Sequence, residues 1–239
     1  MAGYDVEAHY DEIAKDYDKF EKYNPRKHIL IGRYFKVLGS LRGKSVLDLG
    51  CGNGFFSRLA KKKGAKYILG VDISGKQIEI ATKKSKSLGI IYKKEDILNL
   101  RLNRRFDFIV AGFVFNYASN KKMLQDMIRI AYKHLKKQGQ MFCILCNPEN
   151  PLRKGNVLYQ VSCIGKLRDA ARLKCEFFDK KGDYLCYDYK YYWSKKTIEF
   201  ILKKQGFQSL EWIEVKHISN KKSRIPKLPS TNIILRVVK

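Results

Sequence analysis

The sequence contains no long apolar run. None of its apolar stretches approaches the ~18 consecutive residues that a helix needs to span a bilayer, so the sequence does not indicate a membrane protein. Residues 1–24 are rich in Asp and Glu, which is the opposite of a signal or transit peptide. With 239 residues, the chain is long enough for one large α/β domain or for a core with an insertion. We therefore expect a cytoplasmic protein.

Histidine is scarce and cysteine is unremarkable in its placement. None of the four histidines falls in a recognisable motif, so no general base is visible. Six cysteines could form disulfides, but a chain with a core of this size does not need them. Cys143 and Cys146 have metal-ligand spacing, yet they lie in a predicted strand, where residues i and i+3 point to opposite faces. We expect free thiols and no metal site.

Acidic residues are few relative to basic ones. There are 23 Asp and Glu against 49 Lys and Arg, which gives a net charge of +26. Nucleic-acid-binding proteins usually concentrate their positive charge in a patch, whereas here it is spread along the chain in short runs such as Lys61–Lys63. Several runs fall near the ends of predicted helices, where cations are favourable. A lysine-rich composition without a nucleic-acid partner is the favoured interpretation, and RNA binding stays an alternative.

Glycine is concentrated at one informative place. Residues 46–54 read Val-Leu-Asp-Leu-Gly-Cys-Gly-Asn-Gly, so a predicted buried strand runs directly into glycines at alternate positions. Gly50, Gly52 and Gly54 permit positive φ and close approach of a ligand to the backbone. The dinucleotide pattern G-x-G-x-x-G is absent, and Asp48 precedes the first glycine. The segment predicts a turn that cradles a nucleotide.

A second carboxylate, Asp72, follows the glycine-rich turn. The apolar segment Tyr67–Val71 predicts a strand that ends at Asp72. An acidic residue about 20 positions past a glycine-rich turn is placed to bind ribose hydroxyls. The sequence thus predicts a nucleoside-containing ligand.

The pattern Asp48-x-Gly50-x-Gly52-x-Gly54 resembles motif I of the class I S-adenosylmethionine-dependent methyltransferases, and Asp72 stands where that family binds the cofactor ribose. Residues 94–97 and 111–117 resemble the family's adenine-binding and post-strand segments. The resemblance implies S-adenosyl-L-methionine as cofactor. The contacts that it implies are Asp48, Gly50, Cys51, Gly52, Asp72, Ile73, Asp96, Ile97 and Phe113.

Alternating strands and helices predict an α/β fold with a doubly wound, mostly parallel sheet. The resemblance implies the seven-stranded Rossmann-like form, with the last strand antiparallel between the fifth and sixth. We divide the chain into an N-terminal helical cap (1–40), a cofactor-binding core (41–146), a substrate-side insertion (147–193) and a C-terminal completion of the sheet (194–239). A helix is predicted over Lys121–Lys137 and a strand over Gln140–Cys146.

The N-terminal cap carries an aromatic face. Tyr10, Ile13, Ala14 and Tyr17 recur at helical spacing. The element resembles one that folds over the cofactor as a lid, and an aromatic ring attracts a cation such as a sulfonium. We expect Tyr17 to contact the cofactor. The alternative is that these tyrosines only pack on the core.

The insertion carries a tyrosine-rich strand pattern. Tyr187, Tyr189 and Tyr191 alternate with Asp188 and Lys190, so three phenols would share one face. We predict an aromatic-walled pocket there, and the alternative is a small hydrophobic cluster. The expected substrate contacts are Asn116, Tyr117, Tyr187, Tyr189 and Tyr191.

These patterns predict a methyltransferase that acts on nitrogen or oxygen of a small-molecule acceptor. A sulfonium methyl is already activated, so positioning is the main requirement. A hydroxyl acceptor would also need a general base, whereas an amine deprotonated on binding would not. Two alternatives stay open, an RNA (tRNA) methyltransferase and a non-catalytic regulatory subunit that binds S-adenosylmethionine. The sequence leaves the catalytic residues and the oligomeric state open.

Overall fold

A computed structural model describes residues 5–23, 32–34, 36–152, 158–215 and 230–239. Its central element is a seven-stranded sheet in the order β3-β2-β1-β4-β5-β10-β9. The strands of this sheet are β1 (Ser45–Leu49), β2 (Tyr67–Asp72), β3 (Ile91–Lys94), β4 (Phe106–Gly112), β5 (Leu135–Cys146), β9 (Ser209–Glu214) and β10 (Asn232–Val238). The helices are α1 (Val6–Tyr23), α2 (Phe55–Lys62), α3 (Gly75–Lys84), α4 (Lys121–His134) and α5 (Lys195–Gln205), and residues 32–34 and 36–38 are also helical.

The pairing of the strands confirms the predicted fold class. Strands β1 to β5 pair in parallel, and β10 is antiparallel to both β5 and β9. All five residues of β1 are buried, as expected for a central parallel strand covered on both faces. Separate hydrophobic clusters pack on the two faces, one around Ile109 and Met141 and the other around Val110 and Phe142. Because parallel strands end at the same edge, the glycine turn and Asp72 meet there.

The boundary between α4 and β5 corrects the sequence prediction. The helix ends at His134 instead of Lys137, and β5 already begins at Leu135. Two contacts explain the early stop. Leu135 pairs with Phe106 of β4, and the Lys239 ammonium donates to the carbonyls of Tyr132 and Leu135 at 2.7 and 2.9 Å, which caps the helix end.

The predicted insertion contains a separate antiparallel sheet. It consists of β6 (Tyr159–Cys163), β7 (Arg172–Phe178) and β8 (Tyr184–Tyr191), in that order. Helix α1 packs against it through Ile13 and Phe20, which join Val161, Leu173 and Phe177 in one hydrophobic cluster. Helix α1 therefore bridges the second sheet and the core.

No helix in the described ranges is long and apolar enough to cross a bilayer. The six cysteines are free thiols, and Cys143 and Cys146 belong to opposite sides of β5, Cys143 in the core and Cys146 at the wall of a cavity. In the part of the chain that the structure describes, no three His, Cys, Asp or Glu side chains group in a way that could hold a metal ion.

Candidate active site

The glycine turn after β1 forms the floor of the site. Gly50, Gly52 and Gly54 all have positive φ, at 63°, 50° and 76°. A Cβ on Gly50 would lie 2.7 Å from Cγ2 of Val114, so this position also requires the absence of a side chain. The alternating glycines therefore permit a left-handed backbone and close contact with the turn. These are the two properties from which the sequence pattern predicted a nucleotide-binding turn.

Asp72 ends β2 beside this turn. Its Oδ2 accepts a hydrogen bond from the N–H of Gly52 at 2.7 Å, and its Oδ1 accepts one from the N–H of Ser74 at 3.0 Å. Burial raises the pKa of the Asp72 carboxyl, and these backbone donors oppose the rise. Each carboxylate oxygen has a second lone pair, so the group can still accept hydrogen bonds from two ligand hydroxyls.

Asp48 lies behind the turn. It is fully buried in β1, and its Oδ2 accepts a hydrogen bond from the hydroxyl of Ser57 at 2.6 Å. Its Oδ1 is buried with no hydrogen-bond partner among the described residues. Burial raises the pKa of Asp48 to about 7. Asp48 therefore supports the turn from below and does not face the ligand space.

A cavity of about 450 Å³ opens at the carboxyl ends of the strands, between the main sheet, α1 and the second sheet. Asp96, at its rim, accepts a hydrogen bond from the N–H of Leu98 at 2.9 Å, which orders the short turn that follows β3. The structure brings together at this cavity every predicted cofactor contact except Asp48. These residues are Tyr17, Gly50, Cys51, Gly52, Asp72, Ile73, Asp96, Ile97 and Phe113.

Phe113 occupies an unusual backbone conformation at the cavity wall. Its φ is 63°, which is rare for a residue with a Cβ. The carbonyl of Ile144 holds this geometry by accepting the N–H of Phe113 at 2.7 Å. Backbone strain of this kind clusters at ligand sites. The ring of Phe113 faces the ammonium of Lys190, which lies 4.6 Å from the ring centroid.

Helix α1 covers the cavity and is held by acidic side chains. Asp11 accepts hydrogen bonds from the hydroxyl of Ser74 and from the N–H of Lys76, the latter at 3.1 Å. Asp18 forms an ion pair with Lys84. From the inner face of α1, Tyr17 reaches the cavity, with its ring edge-on to Phe177 at 5.4 Å between centroids. The lid geometry expected from the sequence is thus present.

The opposite end of the cavity contains a buried polar group, which we call the Asp188 cluster: Tyr10, Tyr117, Asp188 and Lys190. Oδ2 of Asp188 accepts hydrogen bonds from the hydroxyls of Tyr117 at 2.6 Å and Tyr10 at 3.0 Å, and the two phenols are also in contact. The ammonium of Lys190 lies 3.6 Å from the same oxygen. Tyr10, Tyr117 and Lys190 line the cavity.

The structure corrects the predicted wall of three tyrosines. The alternation on β8 is real, but Cys186, Asp188 and Lys190 are its buried face. Tyr187, Tyr189 and Tyr191 lie on the other face and do not line the cavity. The ring of Tyr187 contacts His9, with centroids 4.9 Å apart, and that of Tyr189 lies under the guanidinium of Arg172 at 3.6 Å. The reason is that α1 packs on the face that contains Cys186, opposite the face that the sequence predicted as the pocket wall.

Asn116 also takes a different place from the one expected. Its side chain is buried and bridges backbones, donating to the carbonyl of Tyr191 at 3.1 Å and accepting from the N–H of Cys146 at 3.0 Å. It does not line the cavity, whereas the neighbouring Tyr117 does.

The site residues that the sequence analysis missed are Asp188 and Lys190. Their signal was the pair of opposite charges at i and i+2 on one strand face.

The described histidines do not lie at the cavity. His134 is buried, burial lowers its pKa, and its ring nitrogens lie 3.4 and 3.5 Å from the carbonyls of Arg104 and Leu100. The Nε2 of His9 lies 2.7 Å from the carbonyl of Tyr187. His28 and His217 fall outside the described residues. Among the described residues, the titratable groups at the end of the cavity with the Asp188 cluster are therefore tyrosines, a carboxylate, a lysine and the thiols of Cys146 and Cys175.

Comparison with known proteins agrees with this geometry. Residues 46–139 match the family described as methyltransferase domain. The chain is 31% identical over 94 residues to the ribosomal protein L11 methyltransferase of Thermotoga neapolitana, which covers 38% of this chain and 34% of that protein. It is 26% identical over 136 residues to the malonyl-[acyl-carrier protein] O-methyltransferase of Bacillus cereus, covering 56% of this chain and 49% of that protein. The matches span half or less of these relatives.

A solved structure extends the likeness over the whole fold. The S-adenosylmethionine-dependent methyltransferase from Clostridium acetobutylicum superposes with a TM-score of 0.64 at 21% identity, covering 96% of this chain and 98% of that one. Together with the match of residues 46–139 to a methyltransferase domain, this likeness supports the predicted seven-stranded fold of an S-adenosylmethionine-dependent methyltransferase. S-adenosyl-L-methionine is accordingly the cofactor.

Proposed function

We propose that this protein transfers the methyl group of S-adenosylmethionine to nitrogen or oxygen of a small-molecule acceptor. The observation that carries the proposal is the cavity of about 450 Å³, which runs from the glycine turn to Lys190 beneath α1. Its volume lies in the usual range for small-molecule sites. A cavity roofed by a helix suits an acceptor that is enclosed, and it is a poor fit to an acceptor that is part of a macromolecule.

The residues present fit the cofactor. In the proposed complex, Asp72 accepts hydrogen bonds from the ribose hydroxyls, and Asp96 and Ile97 hold the adenine at the rim. Gly50 and Gly52 leave room for the methionine end against the backbone. Bound S-adenosylmethionine supplies a methyl group that is already activated by its sulfonium.

The protein's own contribution is then positioning and the exclusion of water. Tyr17 presents a ring to the cavity, and an aromatic ring is attractive to a cation such as a sulfonium. Helix α1 closes over the ligands, which holds the acceptor in line with the methyl group and keeps water out. Orientation of this kind supplies several kcal/mol of the barrier.

Incubation with radiolabelled S-adenosylmethionine and a total cell extract, followed by separation into small molecules, RNA and protein, tests the proposal. We expect label in the small-molecule fraction with the wild-type protein and much less with Asp72→Ala at a limiting concentration of S-adenosylmethionine. The matched control is Asp126→Ala, because Asp126 is a carboxylate on the exposed side of α4, paired with Lys122 and Arg129. Label in RNA would replace the proposal with the RNA alternative, and binding without transfer would support a regulatory subunit.

A further inference from the structure

Lys190 is the one cationic side chain among the described residues that line the cavity. Carboxylates line it at several places, including Asp72, Glu95 and Asp96 at the cofactor end. Lys190 lies at the other end, on the inward face of β8, and its side chain is only 7% exposed. A cation buried at this position carries a cost in free energy, so its presence calls for an explanation.

The surroundings of Lys190 are apolar except for Asp188 and the hydroxyls of Tyr10 and Tyr117 that donate to it. Cys146, Cys175 and Phe177 share this part of the cavity wall, and the Phe113 ring faces the ammonium. Burial lowers the pKa of Lys190, but Cys175 and Asp188 raise it, and the net pKa lies above its ordinary value. Burial raises the pKa of the Cys175 thiol, which keeps it neutral, so Asp188 is the partner that keeps Lys190 protonated.

Asp188 compensates this charge only in part. The Nζ to Oδ2 distance is 3.6 Å, which is longer than a hydrogen bond. The same oxygen already accepts the hydroxyls of Tyr10 and Tyr117. Lysine has three N–H donors and no acceptor, and within the described part of the chain the ammonium of Lys190 makes no hydrogen bond. Its donors are therefore available to a ligand in the cavity.

We propose that Lys190 binds a carboxylate of the acceptor, so that the substrate class is a small organic acid with an apolar body. This inference rests on the proposed function and specifies its acceptor. The apolar body would lie against Val161 and Phe177, which line the same end of the cavity. A carboxylate that accepts from an ammonium in an apolar site makes a charge-assisted hydrogen bond, and the net charge of +26 attracts anions to the protein.

Benzoate and its neutral analogue benzamide are suitable probes, because they have nearly the same shape and differ in charge. Each is titrated by calorimetry into the protein saturated with S-adenosylhomocysteine. The wild type should bind benzoate about tenfold more tightly than benzamide, which corresponds to about 1.4 kcal/mol. Lys190→Met should bring this ratio to about one, and Lys190→Arg should preserve a preference for benzoate. The control Lys174→Met removes a lysine on β7 that pairs with Glu176, and should behave as the wild type.

A wild-type protein without preference for benzoate, or a preference that survives Lys190→Met, would overturn the proposal. So would a large loss of S-adenosylhomocysteine affinity in Lys190→Met, because Lys190 would then hold the carboxylate of the cofactor. Unchanged cofactor affinity in the variants shows that they are folded. A benzoate preference together with no methyl transfer in extract would keep the carboxylate site and refute the proposed function, so the two failures are distinguishable.

Discussion

Two carboxylates on neighbouring strands, Asp48 and Asp72, differ in what surrounds them. Asp72 accepts two backbone N–H groups beside the cavity, and Asp48 accepts one hydroxyl beneath the turn. Burial is the largest influence on the pKa of each, and in both cases it acts upward. Asp72 can therefore touch a ligand, whereas Asp48 acts on the turn that touches it.

Asp72→Ala should weaken binding of S-adenosylhomocysteine at least about tenfold, because a charge-assisted hydrogen bond to a ribose hydroxyl contributes roughly 1.5–3 kcal/mol. Calorimetric titration measures the effect. Asp126→Ala serves as the control and should bind as the wild type does. An Asp72→Ala affinity within twofold of the wild type would refute the assignment of Asp72 to the ribose.

Asp48→Asn should change how stability depends on pH. The folded pKa of Asp48 is about 7, above its ordinary value of 3.8. The folded state therefore binds the proton more tightly, and the stability contributed by the protonated form is complete below pH 3.8 and lost as the pH rises through 7. Relative to Asp48→Asn, the free energy of unfolding of the wild type should fall by on the order of 2 to 3 kcal/mol between pH 5 and pH 8.

Urea unfolding at several pH values measures this difference. Asp107→Asn is the control, since hydrogen bonds from Ser45 and Lys136 offset burial and the pKa of Asp107 falls to about 2. Asp107 is ionised above pH 5 in both the folded and the unfolded state. The difference in unfolding free energy between Asp107→Asn and the wild type should therefore not change with pH in this range. If the difference in unfolding free energy between Asp48→Asn and the wild type were also independent of pH, burial would not raise the pKa of Asp48.

The residues of the glycine turn and Tyr117 could be predicted from the sequence, whereas Asp188 and Lys190 could not. Gly50 and Asp72 sit in a contiguous pattern whose chemistry is local. On β8, the alternation predicts two faces, but the side facing inward depends on where α1 packs. Lys and Asp are rarely buried, so composition favoured the tyrosines as the inner face. Only the tertiary arrangement reverses this choice.

At the scale of elements, α1 is attached to the core mainly by partly exposed polar contacts. Asp11 contacts Ser74 at the start of α3, Asp18 pairs with Lys84 at its end, and Glu7 pairs with Lys94 at 2.6 Å. Exposed pairs contribute about 0–1 kcal/mol each. The attachment of α1 to the core is thus weaker than its apolar packing on the second sheet, and it fixes where the helix lies over the cavity.

The double variant Asp11→Ala/Asp18→Ala should release S-adenosylhomocysteine several-fold faster, because α1 loses two of its attachments to α3. Stopped-flow displacement measures the rate. The unfolding midpoint in urea should move little, since both contacts are partly exposed and the apolar packing of α1 is unchanged. Glu12→Ala, on the exposed side of α1, should leave the release rate unchanged. Equal release rates in all three proteins would show that these contacts do not hold α1 closed.

The residue at which α4 ends could not be predicted from the spacing of apolar residues. Apolar spacing continues through Leu135, so the sequence predicts a longer helix. The stop depends on the side chain of Lys239, which lies 104 residues away along the chain and donates to the carbonyl of Leu135. A contact between distant segments leaves no periodic trace in either of them.

At the scale of the whole molecule, the main feature is the net charge of +26. With the charge spread over the chain, binding of RNA should be weak at physiological salt. An excess of tRNA should therefore reduce methyl transfer into the small-molecule fraction by less than about twofold at 0.15 M salt. Strong inhibition by tRNA that declines steeply as salt rises would instead indicate a functional nucleic-acid surface.

Helix α1 lies across both ends of the cavity, with Asp11 at the cofactor end and Tyr10 at the Asp188 cluster. One helix therefore covers the sites proposed for both ligands. When the methyl group leaves, the sulfonium becomes a neutral thioether, and the attraction to the ring of Tyr17 disappears. The demethylated cofactor would then lack this one contact. In the proposed reaction, methyl transfer thus removes one of the interactions that retain the by-product.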